Sequence, residues 1–356
     1  MKIAIVSPLQ EIVPPDQYGG TELVVYNLVE GLVKRGHKVT LFARSESKTS
    51  AELVSLGLGK NAVELIEDRY ISGYLLAAEV ARMSTKFDII NNHAGWRFLI
   101  FAPKMNAPVL NTNHTLFYEK FHPLLKLFKE YPYTTISLDQ RKKAPKELKF
   151  IANIYNGIDA EKFPFSDKKG SYLFWMGRLI EKKGADIAIK VAKALNKKLI
   201  IAGPIIKDRP EDIAYYENKI KPYIDNKQIM YYGPANHKQK TELYLGSLLF
   251  LNPVIWDEPF GLVVPEANAT GAPVVSFKRG AMAEIMKNGV NGILVESNDI
   301  KDMIKAVTTV DDMSDEEYRS LRKSSRNFFE SNFTIDQMVS GYEEAYRQII
   351  NKENQS

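Results

Sequence analysis

The sequence predicts an α/β fold built from two doubly wound domains, and three observations carry that prediction. Short β-rich runs alternate with amphipathic helical patterns along almost the whole chain. Most of these runs are apolar at consecutive positions, as in parallel strands covered by helices on both faces. The alternation occurs as two series, with the Asn-Gly turn of "NIYNGIDAEKF" between them at residues 150–160.

The first series opens with "KIAIVS" (2–7). A helix follows from Thr21 to Arg35 with Val25, Leu28 and Leu32 on one face and Gly36 as its stop, and "HKVTLFA" (37–43) completes a βαβ unit. "FDIINN" (87–92), "APVLNT" (107–112) and "YTTIS" (133–137) extend it. The second series comprises "SYLFWMG" (171–177), "KKLIIAG" (197–203), "QIMYYG" (228–233), "SLLFLNP" (247–253), "APVVSF" (272–277) and "NGILVE" (291–296). The last helix opens at "FTIDQ", where Thr334 as N-cap and Gln337 at the third helical position form a capping box. Met338, Tyr342, Ala345, Tyr346 and Ile349 then make one apolar stripe that either domain can receive. Sheets of this kind bind ligands at the carboxyl ends of their strands, so a ligand is expected in a cleft between facing domains.

Composition narrows the functional classes. At 356 residues, 45% hydrophobic and 11% aromatic, the chain can fill two cores and is not disordered. It has no cysteine, which excludes disulfides, thiolate metal sites and thiol catalysis. "MKIAIVSPLQ" does not read as a secretory signal and no run approaches the ~18 apolar residues of a spanning helix, so a cytoplasmic protein is expected. The net charge of +5 lies entirely in residues 1–150, with 20 Lys+Arg against 15 Asp+Glu, the remainder balancing at 28 against 28. That excess is too small to imply a nucleic-acid partner, and none is expected.

Three loops between a strand and a helix are candidate sites, because helix N-termini present N–H groups and a positive dipole end. In "WMGRLIEKKGADIAIKVAKAL" a strand ends at Gly177 and a helix starts near Gly184, with Arg178 and Lys183 between them. Two cations at a helix N-terminus oppose the dipole, so they either hold an anionic ligand or are solvated surface charges. In "FLNPVIWDEPFGLVVPEANATGAPVV" Glu258 precedes a helix expected to start at Gly261 or Leu262, and Glu266 lies about one turn inside it. Burying two carboxylates in an apolar stretch requires partners. Either sugar-like hydroxyls satisfy them, or Glu258 caps the helix and Glu266 pairs with a cation. In "DQYGGTELVVYNL", Gly19 and Gly20 allow close backbone approach to a ligand or simply make a turn. His93 and His114 follow strand ends in the first series and read as structural or as site residues.

These motifs resemble glycosyltransferase family 4, retaining enzymes of the GT-B architecture with two Rossmann-like domains and nucleotide-sugar donors. The resemblance rests on "YGGTE", "NGID", "GRLIEKKG" and "EPFGLVVPEANATGAPVV", the last similar to the family's Glu-x7-Glu signature, and it spans nearly the whole chain in the family's order. It implies an acceptor-side domain over 1–153, joined by a C-terminal crossover helix at 335–356, and a donor domain over 154–334. It further implies that Arg178 and Lys183 hold the donor diphosphate and that Gly19 and Gly20 approach it. Backbone amides of Phe260, Gly261 and Leu262 would contact phosphate and sugar. Glu258 would bind hexose hydroxyls, Glu266 the ribose diol and His114 the donor sugar, with base contacts around Gly233 to Asn236. Two departures stand out: "NPVIWDE" replaces the family's "PS" pair, bringing Trp256 close to Glu258, and "EANAT" replaces "EAMA".

No Asp-x-Asp occurs in the chain, so the expected chemistry is metal-independent, with Arg178, Lys183 and helix N–H groups meeting the leaving-group charge. No cofactor is expected beyond a UDP-, GDP- or ADP-sugar donor. The acceptor would be a glycan, a small molecule or a lipid-linked hydroxyl. Residues 117–149 combine 8 Lys+Arg and 4 Asp+Glu with Leu124, Leu125, Leu127 and Phe128, which suits either peripheral membrane contact or an ordinary surface helix. A nucleotide-sugar epimerase or hydrolase and a non-catalytic nucleotide-binding subunit are the alternatives. No Gly-x-Gly-x-x-Gly follows the first strand to support a dehydrogenase.

Overall fold

A computed structural model describes residues 1–16, 19–56, 71–206, 209–296 and 298–353. Tyr18 of the "YGGTE" motif and the last three residues of the terminal segment lie outside them. The chain divides into two compact units, Met1–Ile158 with Thr334–Ser356, and Asp159–Phe333.

The first unit holds seven parallel strands, β1 (Lys2–Val6), β2 (Lys38–Phe42), β3 (Glu52–Val54), β4 (Ile89–Asn92), β5 (Val109–Asn113), β6 (Pro132–Thr135) and β7 (Lys149–Asn153), in the order β3-β2-β1-β4-β5-β6-β7. The second holds six, β8 (Tyr172–Met176), β9 (Leu199–Ala202), β10 (Ile229–Gly233), β11 (Ser247–Asn252), β12 (Val274–Phe277) and β13 (Gly292–Val295), in the order β10-β9-β8-β11-β12-β13. Each is a doubly wound α/β sheet.

All eleven runs read as strands are strands. β3 and β7 were not read, and both are edge strands without the continuous apolar pattern of a covered centre: β3 has three residues, and none of β7 is fully buried. The central strands pair with a neighbour along each edge, and helices cover both of their faces. Ile3 of β1 aligns with Val39 and with Ile89, and Phe174 of β8 with Ile200 and with Phe250.

The strand order reverses between β1 and β4 and again between β8 and β11. A crevice at the carboxyl ends of the strands opens at such a switch point, because the flanking loops depart to opposite faces of the sheet.

The terminal helix, Ile335–Glu353, packs in the first unit. Thr334 N donates to Gln337 Oε1 (2.9 Å) and Gln337 N to Thr334 Oγ1 (3.4 Å), the reciprocal bonds of a capping box. Its stripe of Met338, Tyr342, Ala345, Tyr346 and Ile349 is buried, and Asn91 Nδ2 of β4 donates to Tyr346 Oη (2.8 Å). Arg35 reaches Glu343 (3.0 Å) and His37 Nε2 lies 2.6 Å from the same carboxylate, holding this helix to the one at Gly20–Lys34.

Candidate active site

The loop after β8 is shaped by two contacts. Trp175, buried in the core, donates from Nε1 to the Lys183 carbonyl (3.1 Å), and Ile255 N donates to the Lys182 carbonyl (3.0 Å). The loops after β8 and β11 are therefore fastened together. Gly184 makes this possible: it is left-handed (φ +72°) and a Cβ there would stand 2.2 Å from the Pro253 carbonyl oxygen. The helix Ala185–Ala194 starts directly after it. Gly184→Ala is expected to destabilise the second unit by about 2 kcal/mol or more, from the left-handed strain plus the clash. A thermal melt within a degree of the parent would show that the loop relaxes freely.

β11 delivers Glu258. Its backbone is pinned by Ala281 N donating to the Glu258 carbonyl (2.9 Å), and Gly280 (φ +56°) packs so closely that a Cβ would lie 2.4 Å from Glu258 N. Lys183 Nζ donates to Glu258 Oε2, and Trp256 Nε1 donates to the same oxygen (3.0 Å). The Lys183 ammonium also lies 5.4 Å from the Trp256 ring centroid. Side-chain exposure is 15% for Lys183 and 11% for Glu258.

Lys183 is thus no solvated surface cation. Nor does Glu258 cap the next helix, whose N-cap is Leu262 without a side-chain bond. Arg178, half-buried, follows Gly177 on the β8 loop. Arg178, Lys183 and Glu258 therefore leave the sheet from β8 and β11, the two strands that flank the switch point. Trp256, at the family departure, is part of this cluster.

Glu266 lies in the first turn of Val263–Ala269, with its side chain 4% exposed and 2.5 Å from Lys240 Nζ. The cation-pairing reading of Glu266 is what the structure holds. Burial, and then the Glu266 charge, push the Tyr244 phenol far above its ordinary range. Lys240 was missed in the sequence, although Lys240, Leu243 and Tyr244 have the spacing of one buried helix face. Phe260 is buried edge-on to Phe333 (5.9 Å), which anchors the turn through Gly261 and Leu262 into the helix. Asn236 accepts from Gln239 N (3.0 Å) and N-caps His237–Gly246, so the side chain that closes the Gly233 to Asn236 stretch is engaged in the cap.

In the first unit, Gly19 and Gly20 open the helix at Gly20–Lys34, the loop after β1. A Cβ on Gly19 would sit 2.7 Å from Pro15 Cβ. His114 follows β5, His93 follows β4, and His93 Nδ1 lies 2.7 Å from His114 Nε2. Burial pushes the His114 imidazole down to about 4, and burial followed by its neighbour His114 holds His93 well below 6.5. Both rings are neutral near pH 7. Within 117–149, Leu125 is buried and Leu124, Leu127 and Leu138 are exposed. Among the described residues, no helix is long and apolar enough to cross a membrane and no group of three or more His, Asp or Glu is placed to hold a metal.

Two family models match the chain. One described as Glycosyltransferase Family 4 matches residues 18–162, and one described as Glycosyl transferases group 1 matches residues 158–328. The chain belongs to glycosyltransferase family 4. It is an enzyme of the glycosyl-transferring class with the GT-B fold. Its D-inositol 3-phosphate glycosyltransferase relative from Mycolicibacterium smegmatis is 23% identical over 92% of this chain and 86% of that protein. Two further relatives, both from Bacillus subtilis, are covered over 49% and 99% of their own length. Sucrose-phosphate synthase from Thermosynechococcus elongatus superposes with a TM-score of 0.84 at 19% identity, over 99% of this family 4 chain and all of that structure. HepE from Anabaena in complex with UDP-glucose superposes at 0.75 and 17% identity, over 98% of this chain and 100% of its own.

Proposed function

We propose that this family 4 enzyme transfers a hexosyl group, with retention and without a metal ion, from a nucleotide diphosphate sugar to a hydroxyl acceptor. The observation that carries the reading is the Lys183–Glu258 pair at the switch point between β8 and β11. In the structure two nearly buried opposite charges satisfy one another. A donor can replace each partner with its own chemistry, diphosphate oxygens for Lys183 and sugar hydroxyls for Glu258, without leaving a buried charge alone. Arg178, on the same loop, would add a second cation for the charge that develops on the leaving diphosphate. Glu266, held by Lys240, would take the ribose diol, and the amides of Phe260, Gly261 and Leu262 would meet phosphate and sugar. The roles that the resemblance gives His114, Gly19 and Gly20 remain part of this proposal.

The UDP-glucose complex of HepE supports a nucleotide-sugar donor, since that protein shares the fold. Titrating UDP-, GDP- and ADP-sugars and following the thermal shift identifies the donor. With that donor and an acceptor panel, the glycoside formed should keep the donor's anomeric configuration, and turnover should be unchanged by EDTA. An inverted product, or activity abolished by chelation and restored by magnesium, would overturn the retaining or the metal-independent reading respectively.

For the acceptor side we propose contact with anionic lipid through residues 117–149. Leu127 is 74% exposed, and Lys126 and Lys129 flank it. Exposed apolar side chains beside lysines fit a negatively charged interface, although Lys126 also pairs with Glu147 (2.8 Å). Cosedimentation with phosphatidylserine vesicles at low salt should retain the protein, and Leu127→Glu should release it. Equal binding of both, or of neither, contradicts membrane contact here.

A further inference from the structure

We infer that His93 is a positioning residue that fixes the tautomer of His114: it donates from Nδ1 to His114 Nε2, so that the His114 proton resides on Nδ1. The two ring nitrogens are 2.7 Å apart, with ring centroids at 5.0 Å and planes 26° from parallel, the arrangement of a nearly coplanar N–H···N bond.

Such a bond has two senses. If His114 Nε2 donated, His93 would accept at Nδ1 and would carry its own proton on Nε2. That nitrogen is buried and has no hydrogen-bond partner among the described residues. The residue itself is only 3% exposed, and the Tyr342 ring lies 5.9 Å away. An orphaned buried N–H is the costlier arrangement and is rare in folded proteins. If His93 Nδ1 donates instead, Nε2 holds only a lone pair, and no N–H is stranded.

A third possibility, one proton more on the pair, puts a cation into this site with no carboxylate of the described residues hydrogen-bonded to either ring. On the flanking strands Asn92 donates to Gly95 O (3.0 Å) and Asn111 Oδ1 (3.0 Å), and Thr112 to Asn91 Oδ1 (3.1 Å). The depressed basicity of both imidazoles agrees with a neutral pair.

The sense of the bond decides what His114 can do. With Nε2 accepting from His93, its lone pair is engaged, and the ring offers one donor, Nδ1–H. On the reading proposed above, in which His114 faces the donor sugar, it gives a hydrogen bond to a sugar oxygen and does not act as a base. That fits a reaction in which no protein group removes the acceptor proton.

The chain has five histidines, so selective 15N-histidine labelling gives a spectrum simple enough to assign by single substitutions. Without any nucleotide sugar present, long-range proton–nitrogen correlations at pH 7 should show His114 protonated at Nδ1 and unprotonated at Nε2, and His93 protonated at Nδ1. A His114 proton on Nε2 overturns the inference.

Two substitutions of equal shape then test its use. His93→Asn keeps an N–H donor near the position of Nδ1. His93→Asp places only an acceptor there, so that His114 has to carry a proton on Nε2 to meet it. Turnover is expected within about threefold of the parent for H93N and about tenfold or more below it for H93D, with the donor KM changing less than kcat. Equal turnover in the two variants would also overturn the positioning role. If H93D does not fold, the parent spectrum decides alone. Because that spectrum needs no substrate, a wrong donor assignment leaves it unaffected, and a wrong tautomer in an active transferase refutes this inference without touching the proposed reaction.

Discussion

Lys183→Ala lowers turnover with a nucleotide-sugar donor by about 10²–10³-fold, the scale on which one preorganised group meeting developing charge contributes. The same substitution leaves the Glu258 carboxylate with Trp256 Nε1 as its remaining bond of the two to Oε2. Removing one partner of a mostly buried pair is destabilising, here by about 2 kcal/mol because both groups keep some exposure. A second variant separates the two effects. In Lys183→Ala/Glu258→Gln no charge is stranded, so stability returns towards the parent while turnover stays low. Urea denaturation and initial rates on the same samples check both. Near-parental turnover in the single variant would remove Lys183 from the chemistry, and equal instability in both variants would show that the pair is not what holds this loop.

Lys240→Ala is expected to have the largest effect on the fold. Glu266 is more enclosed than Glu258, and its carboxylate is 2.5 Å from the Lys240 ammonium. Stranding that charge costs about 3–5 kcal/mol. Lys240→Met/Glu266→Gln replaces the pair with neutral groups of similar size and should recover most of the loss, while weakening nucleotide binding if Glu266 takes the ribose diol. The measurement is a denaturant midpoint for the single and double variants beside a titration with UDP. A single variant as stable as the parent would show that the helix His237–Gly246 lets Glu266 reach water.

The sheet centres were legible because short runs of consecutive apolar, β-branched residues bounded by turn signals suit strands covered on both faces. β3 and β7 lacked that signal, since an edge strand needs no second apolar face. At the site, the opposition between two cations and a helix dipole was enough to single out Arg178 and Lys183. The partner of Lys183 was not legible, because Glu258 is 75 residues away and comes from the next strand of the sheet. Lys240 was hidden for a different reason. A lysine on a helix with little amphipathic contrast reads as solvated until a buried acid is placed opposite it. His93 and His114 each looked like a lone histidine, and only the adjacency of β4 and β5 joins them.

The partner exchange at Lys183 and Glu258 is tested most directly by a crystal structure with a bound nucleotide-sugar donor. Lys183 Nζ is expected to have left Glu258 for a diphosphate oxygen, with Glu258 accepting from sugar hydroxyls and still braced by Trp256. A donor bound with its diphosphate away from Lys183, and Lys183 still on Glu258, would contradict the exchange.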